Sequence, residues 1–118
     1  MSWEGGLSLG EIMEELKKHD AEKVLNIGLY NPASYRGYYE CLMFTPKDGS
    51  TVGESLATCE CANGITFMGY KGGEFTMTAD TECFFAEYSY TGIPITKLVL
   101  HGILNNLYTY EEFMQLMY

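Results

Sequence analysis

The sequence has very little positive charge. Only seven of its 118 residues are Lys or Arg, against sixteen Asp and Glu, and the formal net charge is −9. Because so few cations cannot form a broad basic surface, the composition argues against binding to a nucleic-acid backbone. We expect instead a solvated acidic surface, which aids solubility and can repel or mimic nucleic acid.

Long apolar runs are also missing. No stretch approaches the roughly 20 apolar residues that a membrane-spanning helix needs. Residues 1–6, MSWEGG, lack the basic flank and the apolar run of a signal peptide. We therefore expect an intracellular protein with no membrane partner. Since 47% of the 118 residues are apolar, which is enough for a core, we predict one domain over residues 1–118.

Cysteine and histidine are too few and too dispersed for a familiar metal or nucleophile motif. The Cys59-x-Cys61 spacing is shorter than the usual two-residue zinc knuckle, and no second close pair exists. We expect four reduced thiols, no metal and no other cofactor. His19 and His101 have no Cys or Ser motif beside them, and H-E-x-x-H and G-x-S-x-G are absent. These absences favour a role other than catalysis.

Capping patterns predict three helices. In each pattern a Ser or Thr precedes a Glu by three residues, so that each side chain can accept a hydrogen bond from the other residue's backbone N–H. Apolar residues at helical spacing follow each pair. We predict a first helix over residues 9–19, a second that ends at Gly64, and a third that closes the chain. The three pairs are Ser8 with Glu11, Thr51 with Glu54, and Thr109 with Glu112.

Five strand-like segments lie between these helices, at residues 24–30, 38–45, 65–70, 82–90 and 95–101. Residues 31–34, NPAS, are predicted to form a loop because Asn and Pro punctuate strands. Thr91-Gly92 is predicted to be a turn that makes the last two strands antiparallel neighbours. The order αββαβββα predicts an α+β fold: a single compact domain with a mainly antiparallel sheet packed with about three helices.

Two short segments combine a cation with tyrosine and glycine. One is SYRGYY at residues 34–39, which holds the single arginine of the chain, and the other is GYKGGEF at residues 69–75. Aromatic faces stack on planar groups, Arg and Lys hold phosphates or carboxylates, and glycine lets backbone approach a ligand closely. The candidate ligand-binding residues are Tyr35, Arg36, Tyr38, Tyr70, Lys71, Gly72, Gly73 and Glu74.

A purely structural role stays open for both segments. Arg36 would then stack on tyrosine and pair with one of the acids. Residues 69–73 would be a glycine-rich turn between strands. The spacing G-x-x-x-x-G-K-[ST] of a phosphate-binding loop is absent, so the second segment does not indicate a nucleoside triphosphatase.

The two segments, with TVGE at residues 51–54 between them, resemble a family of small proteins encoded mostly in bacteriophage genomes. In that family S-Y-R-G-Y-Y and T-F-x-G-Y-K-G-G-E-F-x-M recur in this order, and the resemblance covers about residues 31–90. A histidine often precedes the serine in the family, whereas this chain has Ala33, so histidine chemistry is not expected there. The resemblance implies a phage accessory protein that acts in the cytoplasm of the host cell.

Such an accessory protein with a cationic and aromatic site is expected to act in counter-defence. It would bind and sequester a nucleotide-derived immune signal, such as a cyclic dinucleotide or an ADP-ribose derivative, without cleaving it. We also expect a homo-oligomer, because subunit interfaces often enclose ligands and 14% of the residues are aromatic.

Three other functions stay open. The first is an acidic protein that inhibits a host defence enzyme through exposed acids such as Glu11, Glu14 and Glu15. The second is a small nucleotide-processing enzyme with His101, Glu74 or Asp80 as its base. The third is a virion or assembly component in which the tyrosines and glycines are structural.

Overall fold

The structure, a computed structural model, describes residues 6–34, 41–68, 74–88 and 91–116, except for the side chains of residues 34, 67, 68, 74, 75, 87, 88 and 91. Four helices lie in this part of the chain: α1 (Leu9–Leu16), α2 (Val52–Ala62), α3 (Lys97–Leu104) and α4 (Tyr110–Leu116). The strands are β1 (Val24–Leu25), β2 (Gly28–Ser34), β3 (Cys41–Lys47), β4 (Ser50–Thr51), β5 (Thr66–Met68), β6 (Glu74–Thr76), β7 (Glu82–Tyr88) and β8 (Thr91–Pro94).

The main sheet has four strands in the order β2-β3-β7-β8. The β2–β3 and β7–β8 pairs are antiparallel, and the central β3–β7 pair is parallel. Two antiparallel pairs, β1–β4 and β5–β6, form separate small sheets. The predicted α+β class with a mainly antiparallel sheet is therefore confirmed.

The two ends of the main sheet give its landmarks. At one end β2 finishes and β3 and β7 begin, with Ser34 opposite Leu42 and Cys41 opposite Glu82. We call this the Cys41 end. At the opposite end, the Lys47 end, Gly28 pairs with Lys47. The helix α1 starts near the Cys41 end, because Ser8 forms a bridge with Glu82.

One face of the sheet carries the main core. Alternation along β3 and β7 places Leu42, Phe44, Cys83 and Phe85 on this face, together with the buried faces of the helices. The rings of Phe85 and Phe113 meet edge to face at a centroid distance of 5.1 Å. The alternate residues of the strands, Met43 and Ala86, belong to a second buried cluster with Phe84 packed against it.

All three predicted capping boxes are present. In the first, Ser8 Oγ accepts from the Glu11 N–H at 3.2 Å and Glu11 Oε1 accepts from the Ser8 N–H at 2.9 Å. The same reciprocal bonds join Thr51 to Glu54 and Thr109 to Glu112. The helix α1 is shorter than predicted and ends at Leu16, while α2 is followed by Gly64 at φ 92°, as a glycine stop requires.

The predicted strand over residues 95–101 is wrong, because Lys97–Leu104 forms the helix α3. Its N-cap is Thr96, whose side chain accepts from the Val99 N–H at 3.2 Å. The antiparallel neighbour of β7 is instead β8, so Thr91-Gly92 begins a strand and is not a turn. Glycine fits there because a Cβ at Gly92 would lie 2.0 Å from the Phe85 carbonyl oxygen.

The predicted loop at residues 31–34 is also wrong, because these residues belong to β2. The register shifts between Tyr30 and Ala33, and Asn31 has a φ of 53° within this irregularity. A bulge on an edge strand accommodates both the left-handed Asn31 and a proline, which has no N–H to donate. The turn-like residues thus mark a kink inside a strand.

Candidate functional site

Nearly all of the predicted site lies outside the described residues. Tyr35, Arg36 and Tyr38 fall within residues 35–40, and Tyr70, Lys71, Gly72 and Gly73 fall within residues 69–73. Glu74 is described as the first residue of β6, without its side chain. The surroundings of the site are therefore defined by the strands and the helix that flank these two segments.

The first segment joins two paired strands. β2 ends at Ser34 and β3 begins at Cys41, and these strands pair antiparallel with Ser34 opposite Leu42. Residues 35–40 therefore connect neighbouring strands at the Cys41 end of the sheet.

The second segment also joins two paired strands. β5 and β6 are antiparallel, and Met68 lies opposite Glu74. The pairing continues past the strands, since the Met77 N–H donates to the Ile65 carbonyl and the Gly64 N–H donates to the Met77 carbonyl, both at 2.8 Å. Residues 69–73 therefore connect the two strands of a hairpin.

The first segment and the hairpin that carries the second segment both begin toward the same end of the main sheet. The helix α2 runs alongside β2, because the Leu29 N–H donates to Ser55 Oγ at 3.0 Å and Cys61 shares a groove with Pro32. The helix thus ends toward the Cys41 end, where the β5–β6 hairpin begins. After the hairpin the chain returns to this end, since β7 starts with Glu82 opposite Cys41.

A groove runs between β2 and α2, close to the first segment. It has a volume of about 300 Å³ and is lined by Tyr30, Asn31, Pro32, Ala57, Thr58 and Cys61. We call it the β2–α2 groove. Among the described residues, its lining contains an aromatic ring, an amide, a hydroxyl and a thiol, and no charged side chain.

Tyr30 is the most prominent side chain of the β2–α2 groove. Its surface is 51% exposed, and Lys47 Nζ lies 4.8 Å from the centroid of its ring. A cation over an aromatic face is attracted by the ring quadrupole, so Lys47 restrains the ring from one side. Neither residue stands out in the sequence, because Tyr30 and Lys47 meet only through the β2–β3 register, which places Gly28 opposite Lys47 and Tyr30 opposite Thr45.

Three other cavities all contain carboxylates. One of about 360 Å³ at the Lys47 end includes Asp48 and Glu111. Another of about 200 Å³ lies beside α1 and includes Glu11, Glu14 and Glu15. In the third, of about 90 Å³, Glu15 lies with Lys97 and the two histidines. The carboxylates of the first two cavities outnumber the cations in their described lining, so those two suit an anionic ligand less well than the β2–α2 groove does.

The two histidines come together, which the sequence did not indicate. His19 follows α1 and His101 lies in α3, and both line the cavity of about 90 Å³. Asn105 Nδ2 lies 3.4 Å from His101 Nδ1. Asp80 lies near the opposite end of α1 from this cavity. The carbonyl of its neighbour Ala79 accepts from the Gly10 N–H at the start of the helix, whereas His19 follows the end of the helix. The described part of the chain thus does not pair His101 with Asp80 as catalytic groups.

The four cysteines form no disulfide and lie in different surroundings. Cys59 and Cys83 are buried, Cys41 is half-buried and Cys61 is exposed. Burial raises the pKa of Cys59 to about 12 and raises the pKa of Cys83 further, because desolvation disfavours a thiolate. Within the described residues no cluster of three or more His, Cys, Asp or Glu is arranged to hold a metal ion.

The acids of α1 are partly compensated by cations. Lys18 Nζ lies 2.9 Å from Glu15 Oε2, and this hydrogen bond lowers the pKa of Glu15. Lys97 lines the same cavity as Glu11 and Glu14. None of the helices in the part of the chain that the structure describes is long and apolar enough to cross a membrane.

Comparisons with known proteins find no relatives for this chain. No protein-family model matches it, and neither does a curated protein or a solved structure.

Proposed function

We propose that this protein binds and sequesters a nucleotide-derived signalling molecule without cleaving it, as a bacteriophage accessory protein that counters host defence. The observation that carries the proposal is the common origin of the two motif-bearing segments. Residues 35–40 follow β2, and the β5–β6 hairpin follows α2, which runs alongside β2 toward the same end of the main sheet. This arrangement supports one shared site made from both segments.

The chemistry of the two segments suits a nucleotide. Arg36 and Lys71 supply the cations for phosphates, and Arg36 offers the planar fork that binds two oxygens at once. Tyr35, Tyr38 and Tyr70 offer rings for stacking. The glycines 72 and 73 allow backbone N–H groups to approach an anion, and Glu74 can accept from a sugar hydroxyl.

Sequestration is favoured over catalysis by the placement of the described titratable groups. His101 shares its cavity with His19, Glu15 and Asn105 beside α1 and α3, whereas Asp80 lies beyond the start of α1. Neither lies in the strands that flank the two segments. A sponge needs only tight enclosure of its ligand, which we propose a homo-oligomer in the host cytoplasm provides.

Inhibition of a host protein by acid mimicry is the less favoured function. A mimic needs an uncompensated row of acids, yet Glu15 is paired with Lys18, and Lys97 lies beside Glu11 and Glu14. These contacts reduce the negative potential of the α1 surface.

The first test is a thermal-shift and native-mass screen against cyclic dinucleotides and ADP-ribose derivatives. A bound compound at about 100 times its Kd stabilises the folded state by about 2.7 kcal/mol, and native mass also gives the number of chains in the complex. We expect one compound to bind and to be recovered intact. An altered compound would show an enzyme instead.

The matched variants are Arg36→Ala, Lys71→Ala and Lys17→Ala. Each removes one positive charge, but Lys17 is exposed at the C-terminal end of α1, away from the Cys41 end. A charge-assisted hydrogen bond contributes about 1.5–3 kcal/mol, so we expect the first two variants to weaken binding roughly tenfold to a hundredfold. Lys17→Ala should leave the Kd unchanged. If no compound binds, the proposal is wrong.

A further inference from the structure

We infer that the β2–α2 groove receives the planar base of the sequestered nucleotide, with Tyr30 as the stacking surface. This inference rests on the proposed function. It adds a binding site, and a residue for it, that the two sequence motifs do not contain.

Charge complementarity selects this groove. The protein has a net charge of −9, and a nucleotide is an anion. Two of the other cavities have more carboxylates than cations in their described lining, whereas no carboxylate is among the described residues that line the β2–α2 groove. Lys47 lies beside the groove on Tyr30 and adds a positive charge at its border. An anion therefore meets less repulsion here than in those two cavities.

Tyr30 has the form of a stacking surface. Lys47 Nζ stands over one face of the ring, and 51% of the residue is exposed. The backbone beside it is fixed in a bulge, where Asn31 has a φ of 53°. A restrained ring loses little conformational freedom when a base stacks on it.

The polar side chains of the lining fit a base edge. Thr58 Oγ1 donates to the Glu54 carbonyl at 3.0 Å, which leaves its lone pairs free to accept. Asn31 carries both an amide donor and a carbonyl acceptor. The ligand class is thus a purine or pyrimidine nucleotide.

The test uses ADP-ribose and cyclic di-AMP with Tyr30→Ala, Tyr30→Phe and Lys47→Ala. Loss of a base–aromatic stack costs about 1–3 kcal/mol, which corresponds to a roughly fivefold to 150-fold rise in Kd. We expect this rise for Tyr30→Ala, a change of less than about twofold for Tyr30→Phe, and a smaller rise for Lys47→Ala. Thermal unfolding of each free variant monitors the fold.

Alkylation of Cys61 gives a second readout that needs no substitution. Cys61 is exposed and lines the groove, whereas Cys59 on the same helix is buried and its pKa is raised to about 12. Iodoacetamide at pH 8 therefore distinguishes the two thiols when peptides are mapped by mass. A bound base should slow the alkylation of Cys61 at least fivefold.

The two proposals fail in different ways. If a compound binds and Arg36→Ala abolishes binding, yet Tyr30→Ala and the rate of Cys61 alkylation are unaffected, the groove is not the base site and sequestration stands. If neither compound nor any other nucleotide in the screen binds, sequestration is wrong and this inference falls with it. Protection of Cys61 at high protein concentration without compound would instead assign the groove to a second copy of the chain.

Discussion

At the scale of single residues, the close approach of β2 to its neighbours depends on Gly28. A Cβ at this position would lie 2.3 Å from the Ser50 Cβ and 3.1 Å from Ser55 Oγ. Ser55 in turn accepts from the Leu29 N–H, so the strand and α2 are joined directly through this buried hydroxyl. The same contact fixes one wall of the β2–α2 groove against the other.

Gly28→Ala should destabilise the protein by about 1–3 kcal/mol, because an extra methyl group in a packed interior forces its neighbours to move. Urea unfolding measures the effect, with Leu98→Ala as a surface control at a residue that is 74% exposed. In a Ser50→Gly background, which removes the nearest atom, the cost of Gly28→Ala should be smaller. An equal cost in both backgrounds would contradict the proposed contact.

The thiols should differ in reactivity because only a thiolate reacts and burial keeps thiols protonated. At pH 8 in native buffer we expect iodoacetamide to modify Cys61 and to spare Cys59 and Cys83, whose pKa values are raised. In urea all of these should react. Rapid native labelling of Cys83 would show that the interface between β7 and the core opens readily.

At the scale of elements, local hydrogen bonding made the helix starts predictable. All three Ser or Thr and Glu pairs cap helices, because each signal lies within four consecutive residues. The helix α3 was missed because Val99 stands where a capping Glu would, and its apolar sequence KLVLHGIL is equally typical of a buried strand. The packing of the folded chain decides between helix and strand for this segment. At Gly102, for example, a Cβ would lie only 2.4 Å from the Tyr108 ring.

The cap of α2 should carry a pH dependence. The Thr51 N–H bonds the Glu54 carboxylate and lowers its pKa below the ordinary value of 4.5. Because its pKa is lowered in the folded state, the ionised Glu54 side chain stabilises the protein at pH values above the ordinary pKa. This stabilisation is lost as the pH falls through the lowered pKa. The unfolding midpoints of the wild type and Glu54→Ala should therefore differ most near pH 7 and converge in acid. A gap that persists at pH 2 would argue against this cap as its cause.

At the scale of the whole molecule, the sequence predicted the class of the fold and not its connections. The bulge in β2, the strand β8 and the parallel β3–β7 pair all depend on contacts between distant residues. The candidate site likewise depends on contacts between distant residues. Its two motifs are visible in the local sequence. Their position relative to the Cys41 end, and the β2–α2 groove, can be known only from the pairing of the strands. The single domain over residues 1–118 stays a prediction.

The parallel β3–β7 pair also sets an order for folding during synthesis. Everything between these strands, residues 48–81, must be made before β7 can pair with β3. Until then the inner edge of β3 carries unpaired backbone groups beside Met43 and Phe44, which is the kind of edge that recruits strands from other chains. A nascent chain paused before Glu82 is therefore the form of this protein most prone to aggregate, and β7 ends that risk when it enters the sheet.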